Sequence, residues 1–530
     1  MASTNAETIE PENASIRADY AQQRARFSVT QWRAAGLAAL AVSILFLFHP
    51  LGVGADYPNH LARAFIETAI DGSAALQQYY EISYSFVPDF TIELFVPRLM
   101  PLFGLYGAGA LVVAAAVVMG PLAGMALSRT LHGGAGAWVP LLGFAAVFNR
   151  NLEFGFINFL FGLGLGLFCF ALWVRLGPGW RRTGVIAIGG AVVAANHILG
   201  FLFLGYIALL WEAANYTSGK RGRLHDFLFG LTVRDGLAFL PGLLLIGYAF
   251  LIADDVSTYT GTDPIFGQRL AALMSGVGFF NDIGAVAAGT TAVAAALVGL
   301  YFGVRTGTIA VHREMAIVCL GVLILIAIMP AHVAGIWGLH LRYGGALIIL
   351  TAAAISLEKP APLVGVAAAA VMATLAVNGA RHVMRVDAVQ SSIAEAMAGL
   401  PTGASVLPVT SPNAGFEIAV HSASLAVIEA QGYAPNLFTN ISAVGVREHM
   451  KPLHFPQGKP VLPETLDAVR LRPLPPVENG RWSRQFYYQW PDNFSHILYT
   501  RLPGEPDPVI DGASPVVSGP DFVIYETQQR

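Results

Sequence analysis

The chain has 530 residues, of which 55% are hydrophobic and only 12% are charged, and its mean hydropathy is +0.57. A soluble domain carries about twice that share of charged residues, so the composition excludes an ordinary soluble protein and predicts a multi-pass membrane protein. The net charge of −3 argues against a nucleic-acid partner. Cys169 and Cys319 lie within apolar runs, which predicts small buried side chains rather than disulfides or metal ligands.

The N-terminal segment, residues 1–32, is polar and lacks the apolar core and cleavage site of a signal peptide. It carries Arg17, Arg24 and Arg26, and positive charge marks the cytoplasmic side of a membrane helix. We therefore predict a cytoplasmic tail over 1–32. The first membrane helix, around the apolar run 37–51, should cross outward and remain as an anchor.

The stretch that follows this helix, residues 54–70, places an acidic residue where the apolar run ends. Asp56 precedes a Tyr-Pro pair, which predicts a helix N-cap with proline in the first turn. His60, Arg63 and Glu67 then fall on the same helical face as Asp56. Two interpretations stay open, a capped helix with its polar face in water and a reaction centre at the bilayer surface.

Residues 52–104 are predicted to form a long external loop with one or two membrane-surface helices, because aromatic and polar residues are mixed there. The lengths of the apolar runs and the charged residues at their ends then predict further membrane helices. They lie at about 105–127, 135–148, 153–174, 236–252, 284–304, 315–334, 343–357 and 361–379.

The run 184–214 can be read as one helix or as two. One helix would place Lys220, Arg221 and Arg223 outside, against the excess of positive charge expected in the cytoplasm. Two short helices that turn at residues 195–197 place these charges inside, and we favour this hairpin. The fold class predicted is a polytopic α-helical protein with about eleven transmembrane helices and an external C-terminus.

The composition changes near residue 381. Residues 381–530 are rich in proline and contain strand-like pieces such as SVLPV and DFVIYE, which predicts a soluble α/β domain on the extracytoplasmic side. The chain thus divides into a tail (1–32), a transmembrane module (33–380) and an extracytoplasmic domain (381–530).

With this topology, ionisable residues collect at the external helix ends. A charged side chain in hydrocarbon is costly, so such residues normally line a protein interior or a wet cavity. Each one has an ordinary explanation, for example snorkelling to headgroups or satisfying backbone groups at a turn. Together they predict one polar cavity formed by Asp56, His60, Arg63, Arg98, Arg150, Glu153, His197, His332, His340 and Arg342.

Three short motifs resemble membrane glycosyltransferases of the GT-C fold. These are ADYPNHLAR at 55–63, in which an acidic residue opens the first external loop, AANHILGF at 194–201 and HLRY at 340–343. The resemblance implies transfer of a sugar from a polyprenyl-phosphate carrier to a lipid, glycan or protein acceptor. The resemblance does not establish a cofactor. Protein-modifying members carry an acidic pair in the second external loop, but NRNLE at 149–153 has one acid, so a divalent metal ion stays open.

The chemistry of this reaction fits the residue types. A carboxylate can take the proton of an acceptor hydroxyl, and a guanidinium can hold phosphate oxygens in a fork. We expect Asp56 to be the base or an acceptor ligand. The expected substrate-binding residues are His60, Arg63, Arg150, Glu153, His197, His340, Arg342 and Tyr343.

Two other functions stay open at this point. One is a polytopic transporter or lipid flippase, and the other is a non-catalytic scaffold for envelope assembly in which Asp56 only caps a helix. For the glycosyltransferase, the expected location is a bacterial-type inner membrane, with membrane lipids as partners, the N-terminus in the cytoplasm and the C-terminal domain in the periplasm.

Overall fold

The chain is mostly helical in the computed structural model. The structure describes residues 9–83, 88–133, 139–219, 228, 230–252, 283–333, 336–358, 362–415, 418, 420–439, 443–456, 460–475 and 483–528. The charges at 220, 221 and 223, on which the predicted hairpin partly rested, lie outside these residues.

Within the described residues, six helices are long and apolar enough to cross a membrane. The apolar stretches are Val29–Phe48, Thr91–His132, Ile157–Leu176, Ile198–Thr217, Thr232–Leu251 and Gly365–Ala398. Shorter apolar helices cover Gly289–Arg305 and Leu339–Ala354. The chain is therefore a multi-pass membrane protein by the length and composition of its helices.

The helices are numbered in chain order. Those before residue 400 are α1 (Ile9–Phe48), α2 (Tyr57–Ala69), α3 (Ala74–Tyr79), α4 (Thr91–His132), α5 (Arg150–Glu153), α6 (Ile157–Leu176), α7 (Trp180–Asn196), α8 (Ile198–Thr217), α9 (Gly236–Ile252), α10 (Ile283–Arg305), α11 (Arg313–Ile328), α12 (Gly344–Ala354) and α13 (Pro362–Ala398).

Among the described residues, five short strands accompany these helices. They are β1 (Tyr80–Ile82), β2 (Ile309–Val311), β3 (His332–Val333), β4 (Ile336–Trp337) and β5 (Ile355–Leu357), and β2 pairs with β5. The membrane helix predicted at about 135–148 is wrong: the described residues there form a 3-10 helix, Val139–Val147. Nine residues at about 2 Å each do not span a bilayer, and the Gly-rich segment before Pro140 disfavours a longer α-helix.

Two predicted breaks in the chain are present in the structure. The α4 helix is broken at Gly104, whose φ of 69° is left-handed, at the predicted end of the first external loop. The run 184–214 is a pair of helices, α7 and α8, that meet at His197. His197 has an extended backbone, and its Nδ1 accepts the N–H of Leu199 at 3.1 Å, which caps α8.

The C-terminal unit, residues 399–528, contains a four-stranded sheet. Its strands are β6 (Val406–Thr410), β8 (His496–Thr500), β9 (Ala513–Ser518) and β10 (Phe522–Thr527), in the order β6-β8-β10-β9. Only the β6–β8 pair is parallel. Short helices α14 (Leu425–Glu429), α15 (Pro463–Val469) and α16 (Trp490–Asn493) complete the unit. The composition change at residue 381 falls inside α13, which continues to Ala398.

The first loop, residues 49–90, packs against this C-terminal unit. Strand β1 pairs antiparallel with β7 (Val444–Val446), and the Tyr80 hydroxyl accepts the N–H of Ala434 at 3.2 Å. Buried side chains of both segments, such as Leu61 and Leu425, belong to one continuous core. The helix that carries the Asp56 motif is thus enclosed between α4 and the C-terminal unit.

Candidate active site around Asp56

Asp56 lies at the start of α2, but its side chain does not cap the helix. Its backbone is helical (φ −79°, ψ −14°), and among the described residues its carboxylate accepts no hydrogen bond from the first turn. Asp56 is therefore the N-cap residue by position, as predicted, and proline in the first turn is confirmed, but the capping role of the side chain is wrong. Because the carboxylate does not cap its own helix, it is available for contacts with other segments. Its Oδ1 lies 3.4 Å from Nε2 of His421 in the C-terminal unit.

The backbone of Asp56 is held by the segment around α5. Its N–H donates to the carbonyl oxygen of Phe154 at 3.0 Å, and the N–H of Gly54 donates to Leu152 at 3.4 Å. Gly155 follows with a φ of 74°, and a Cβ there would lie 2.6 Å from Gly54 O and 2.9 Å from Asp56 N. Only glycine allows this close approach and this backbone conformation. The second loop therefore fixes the position of Asp56.

His60 and Arg63 lie on the same face of α2 as Asp56, as predicted, and both are buried. Arg63 forms a buried ion pair with Glu93 of α4, and Nδ1 of His60 lies 3.2 Å from the same carboxylate. Nε and Nη1 of Arg63 have no hydrogen-bond partner among the residues that the structure describes. Glu93 is a site residue that the sequence reasoning missed. Its signal was an acidic residue in the first turn of a membrane helix.

Asp89, at the end of the first loop, is the second missed carboxylate. Its Oδ1 lies 3.6 Å from Nε2 of His197, the residue between α7 and α8. Asn158 of α6 donates to the Asp89 carbonyl oxygen at 2.9 Å and to Glu93 at 3.3 Å. The predicted turn residue His197 is thus brought to the Asp56 side of the structure, and Asn158 joins the two acidic groups to α6.

Arg342 forms the wall opposite the loop. Its guanidinium carbon lies 3.8 Å above the Phe156 ring and 5.2 Å from the Phe159 ring. Its Nη2 donates to the Trp337 carbonyl oxygen at 3.2 Å, whereas Nε has no partner among the described residues. The charge of Arg342 acts on both Asp56 and Asp89, so the structure brings these three residues together.

The remaining predicted residues lie on the segments that adjoin Asp56 and Arg342. Arg150 and Glu153 form an ion pair at 2.5 Å within α5, and Arg150 lies over the Phe154 ring. Tyr343 follows Arg342 and stacks on Phe203 at 4.7 Å. His340 is buried in the 3-10 turn Leu339–Leu341 just before Arg342. The structure thus ties Arg150 and Glu153 to each other and places Tyr343 and His340 beside Arg342 in the chain.

Burial controls protonation at the site. It raises the pKa of Asp56 to about 6, against the opposing effect of His60, Arg342 and Arg63. It also raises the pKa of Asp89. Burial lowers the pKa of His60 to about 4, assisted by Arg63, and that of His421 to about 3. At neutral pH both histidines are therefore uncharged and Asp56 is a carboxylate close to its titration range.

Within the described ranges, no group of three or more His, Cys, Asp or Glu side chains is arranged to hold a metal ion.

The backbone is similar to that of two solved structures of ArnT from Cupriavidus metallidurans. The structure bound to undecaprenyl phosphate is 14% identical, with 92% of this chain and 97% of that chain covered and a TM-score of 0.48. The apo structure is 13% identical, with 94% and 98% covered and a TM-score of 0.47. No family model and no curated protein matches the chain. Identity and TM-score are both low, so the functional conclusion rests on this chain's own residues.

Proposed function

We propose that this chain is a membrane glycosyltransferase that moves a sugar from a polyprenyl-phosphate carrier to an acceptor hydroxyl at the site around Asp56. The motifs that resemble the GT-C fold supply the class of reaction, and the contacts of the site supply the roles. The acceptor is a lipid, a glycan or a protein.

The observation that carries this proposal is the state of Asp56. Its side chain is 18% exposed in a cluster of buried polar groups, and it is not used as a helix cap. A base must be ionised at working pH yet able to take a proton, and a pKa of about 6 meets both conditions. We assign to Asp56 the removal of the proton from the acceptor hydroxyl as its oxygen attacks the anomeric carbon.

Arg342 is the proposed ligand of the carrier phosphate. As the bond between the anomeric carbon and the phosphate oxygen breaks, negative charge develops on the phosphate, and a preorganised guanidinium stabilises this charge. Arg342 is buried and orientated by the Phe156 ring, and its Nε lacks an acceptor among the described residues. A buried donor without an acceptor is costly, so a phosphate oxygen at this point would gain a charge-assisted hydrogen bond. Arg63 offers two further N–H groups of the same kind.

The other predicted residues receive supporting roles. His60 lies beside Arg63 and Glu93 and is the proposed neutral contact for the acceptor. We assign the Arg150–Glu153 pair to holding the segment whose carbonyl groups fix the Asp56 backbone. The positive charge of the N-terminal segment favours a cytoplasmic N-terminus, with the site on the periplasmic face of a bacterial-type inner membrane.

The test uses cells that carry the gene, cells that lack it and complemented cells. Mass spectrometry of envelope lipids and glycans should show one sugar missing when the gene is deleted, with its polyprenyl-phosphate donor accumulating. The wild-type chain should restore the sugar. Asp56→Asn should lower transfer by at least about a hundredfold, the scale of losing a general base.

Asp387→Asn is the matched control. Asp387 lies in α13, is 14% exposed, and accepts hydrogen bonds from the Leu51 N–H and from His49, and its charge is not among those that act on Asp56. Asparagine keeps an acceptor oxygen there, so transfer should stay at the wild-type level. An unchanged envelope after deletion would contradict the transferase, and full restoration by Asp56→Asn would contradict its role as base.

A further inference from the structure

His421 belongs to the C-terminal unit, yet it meets the loop that carries Asp56. The imidazole is buried, its Nε2 lies 3.4 Å from Asp56 Oδ1, and its ring packs edge-on against Phe438 at 4.7 Å. No local pattern predicts this contact, because His421 is not part of a motif in the mixed polar and apolar sequence after residue 381.

The hydrogen bonds of Asn59 determine which imidazole nitrogen carries the proton. Asn59 Oδ1 accepts the N–H of Phe438 at 2.8 Å, and Nδ2 donates to the carbonyl oxygen of Asn436 at 3.0 Å. One backbone donor and one backbone acceptor therefore fix the orientation of the amide. The same Nδ2 lies 3.1 Å from Nδ1 of His421. Because an amide nitrogen only donates, Nδ1 is the acceptor, and the proton of the neutral ring is on Nε2.

We propose that His421 is a positioning residue for Asp56: its Nε2–H, kept on that nitrogen by Asn59 and 3.4 Å from the carboxylate, holds the carboxylate orientated and ionised. This inference rests on the proposed function, because positioning matters only if Asp56 acts in transfer. A hydrogen-bond donor favours the charged form of a carboxylate and so opposes the effect of burial. The C-terminal unit would then complete the site rather than only cover it.

The contact of His421 differs from those of the other titratable and charged groups around Asp56. His60 and Arg63 face it from α2, Asp89 from the end of the first loop and Arg342 from the turn before α12. Burial keeps His421 neutral, with a pKa lowered to about 3. Its effect on Asp56 is therefore that of a fixed N–H dipole, and it persists across the range in which Asp56 titrates.

The test measures the protonation of Asp56 directly. Dicyclohexylcarbodiimide reacts with protonated carboxyl groups, so labelling of Asp56 in the purified full-length protein, quantified by peptide mass spectrometry over a series of pH values, gives its midpoint. His421→Phe keeps the packing on Phe438 and leaves Asn59 bonded to Asn436. It removes the N–H, so the midpoint should rise by about one pH unit. His421→Gln restores a donor and should return the midpoint towards the wild-type value.

His454→Phe is the matched control, since His454 is a buried imidazole in the same unit whose partners are Thr439 and Tyr433. In this variant the labelling midpoint of Asp56 should equal that of the wild type. An unchanged midpoint in His421→Phe overturns the inference, and so does an equal rise in His454→Phe, which would mean general loosening of the unit. A rise specific to His421→Phe in a chain that transfers no sugar would uphold the contact and overturn the proposed function instead.

Discussion

The guanidinium carbon of Arg342 lies 3.8 Å from the centre of the Phe156 ring, so a delocalised cation is stacked on an aromatic face at the wall of the site. The Trp337 carbonyl oxygen accepts one of its N–H groups at 3.2 Å. Stack and hydrogen bond together fix the plane of the guanidinium and leave its Nε edge for an anionic oxygen.

Arg342→Lys should therefore lose activity although it keeps the charge. Lysine has neither the planar stack nor the bidentate fork, so we expect transfer to fall at least about tenfold, with a higher KM for the donor. Arg98→Lys is the control, because Arg98, which the sequence predicted to line the polar cavity, is exposed on α4 and donates to the Leu94 carbonyl oxygen. Steady-state kinetics with a polyprenyl-phosphate-linked sugar, the proposed donor, measures both variants. Wild-type kinetics in Arg342→Lys would make Arg342 a structural residue.

Gly155→Ala should displace the Asp56 backbone. The added Cβ would lie 2.7 Å from Tyr57 N and 2.6 Å from Gly54 O, and backbone atoms cannot yield cheaply. Transfer should fall about tenfold or more, because misplacement of a catalytic group is costly. Gly133→Ala is the control: its φ of 60° is also left-handed, but no atom of the described residues lies within 4 Å of its Cβ. An equal loss of activity in the two variants would mean that backbone strain, not the clash, causes the effect. Wild-type activity in Gly155→Ala would contradict the prediction.

The buried pair of Arg63 and Glu93 predicts strong coupling between two substitutions. Glu93→Gln leaves a buried guanidinium without its carboxylate and should lower the free energy of unfolding by about 3–5 kcal/mol. In the double variant with Arg63→Met, part of this loss should be recovered, because no unpaired charge remains. Unfolding of the purified proteins in one detergent gives the cycle. Additive single effects would show that the pair contributes no interaction energy.

The sequence predicted the parts of this site that depend on local order along the chain. The helix face of His60 and Arg63 follows from spacing, and the break at His197 follows from charge and span length. The partners of these residues depend on folding at long range. Nothing local links His421 to Asp56, and the capping interpretation of Asp56 failed because a tertiary contact outweighed a helix-end preference.

The membrane topology can be tested by cysteine accessibility. Thr217 ends α8 on the side away from His197, and Val509 is exposed in the C-terminal unit. In a chain in which Cys169 and Cys319 are replaced by serine, an impermeant maleimide should label Val509→Cys in intact spheroplasts. Thr217→Cys should react only after permeabilisation. Labelling of both residues from the same side would contradict the proposed orientation.

Asp56 should be a source of instability at neutral pH. Burial raises its pKa from 3.8 to about 6, so the folded state binds a proton more tightly than the unfolded chain does. Stability then falls as pH rises from 3.8 towards 6, and the penalty persists above that pH. A shift of about two units corresponds to on the order of 3 kcal/mol. Asp56→Asn cannot ionise and escapes this penalty.

Asp56→Asn should therefore unfold at a higher temperature than the wild type above pH 6 and at a similar temperature near pH 4, where the wild-type carboxyl is protonated as well. His60 and His421 titrate in both proteins, so their contributions largely cancel in the difference. Thermal unfolding of the two proteins across this pH range measures the effect. A less stable Asp56→Asn protein at high pH would mean that favourable contacts of the carboxylate, chiefly those with Arg342 and His421, outweigh its burial.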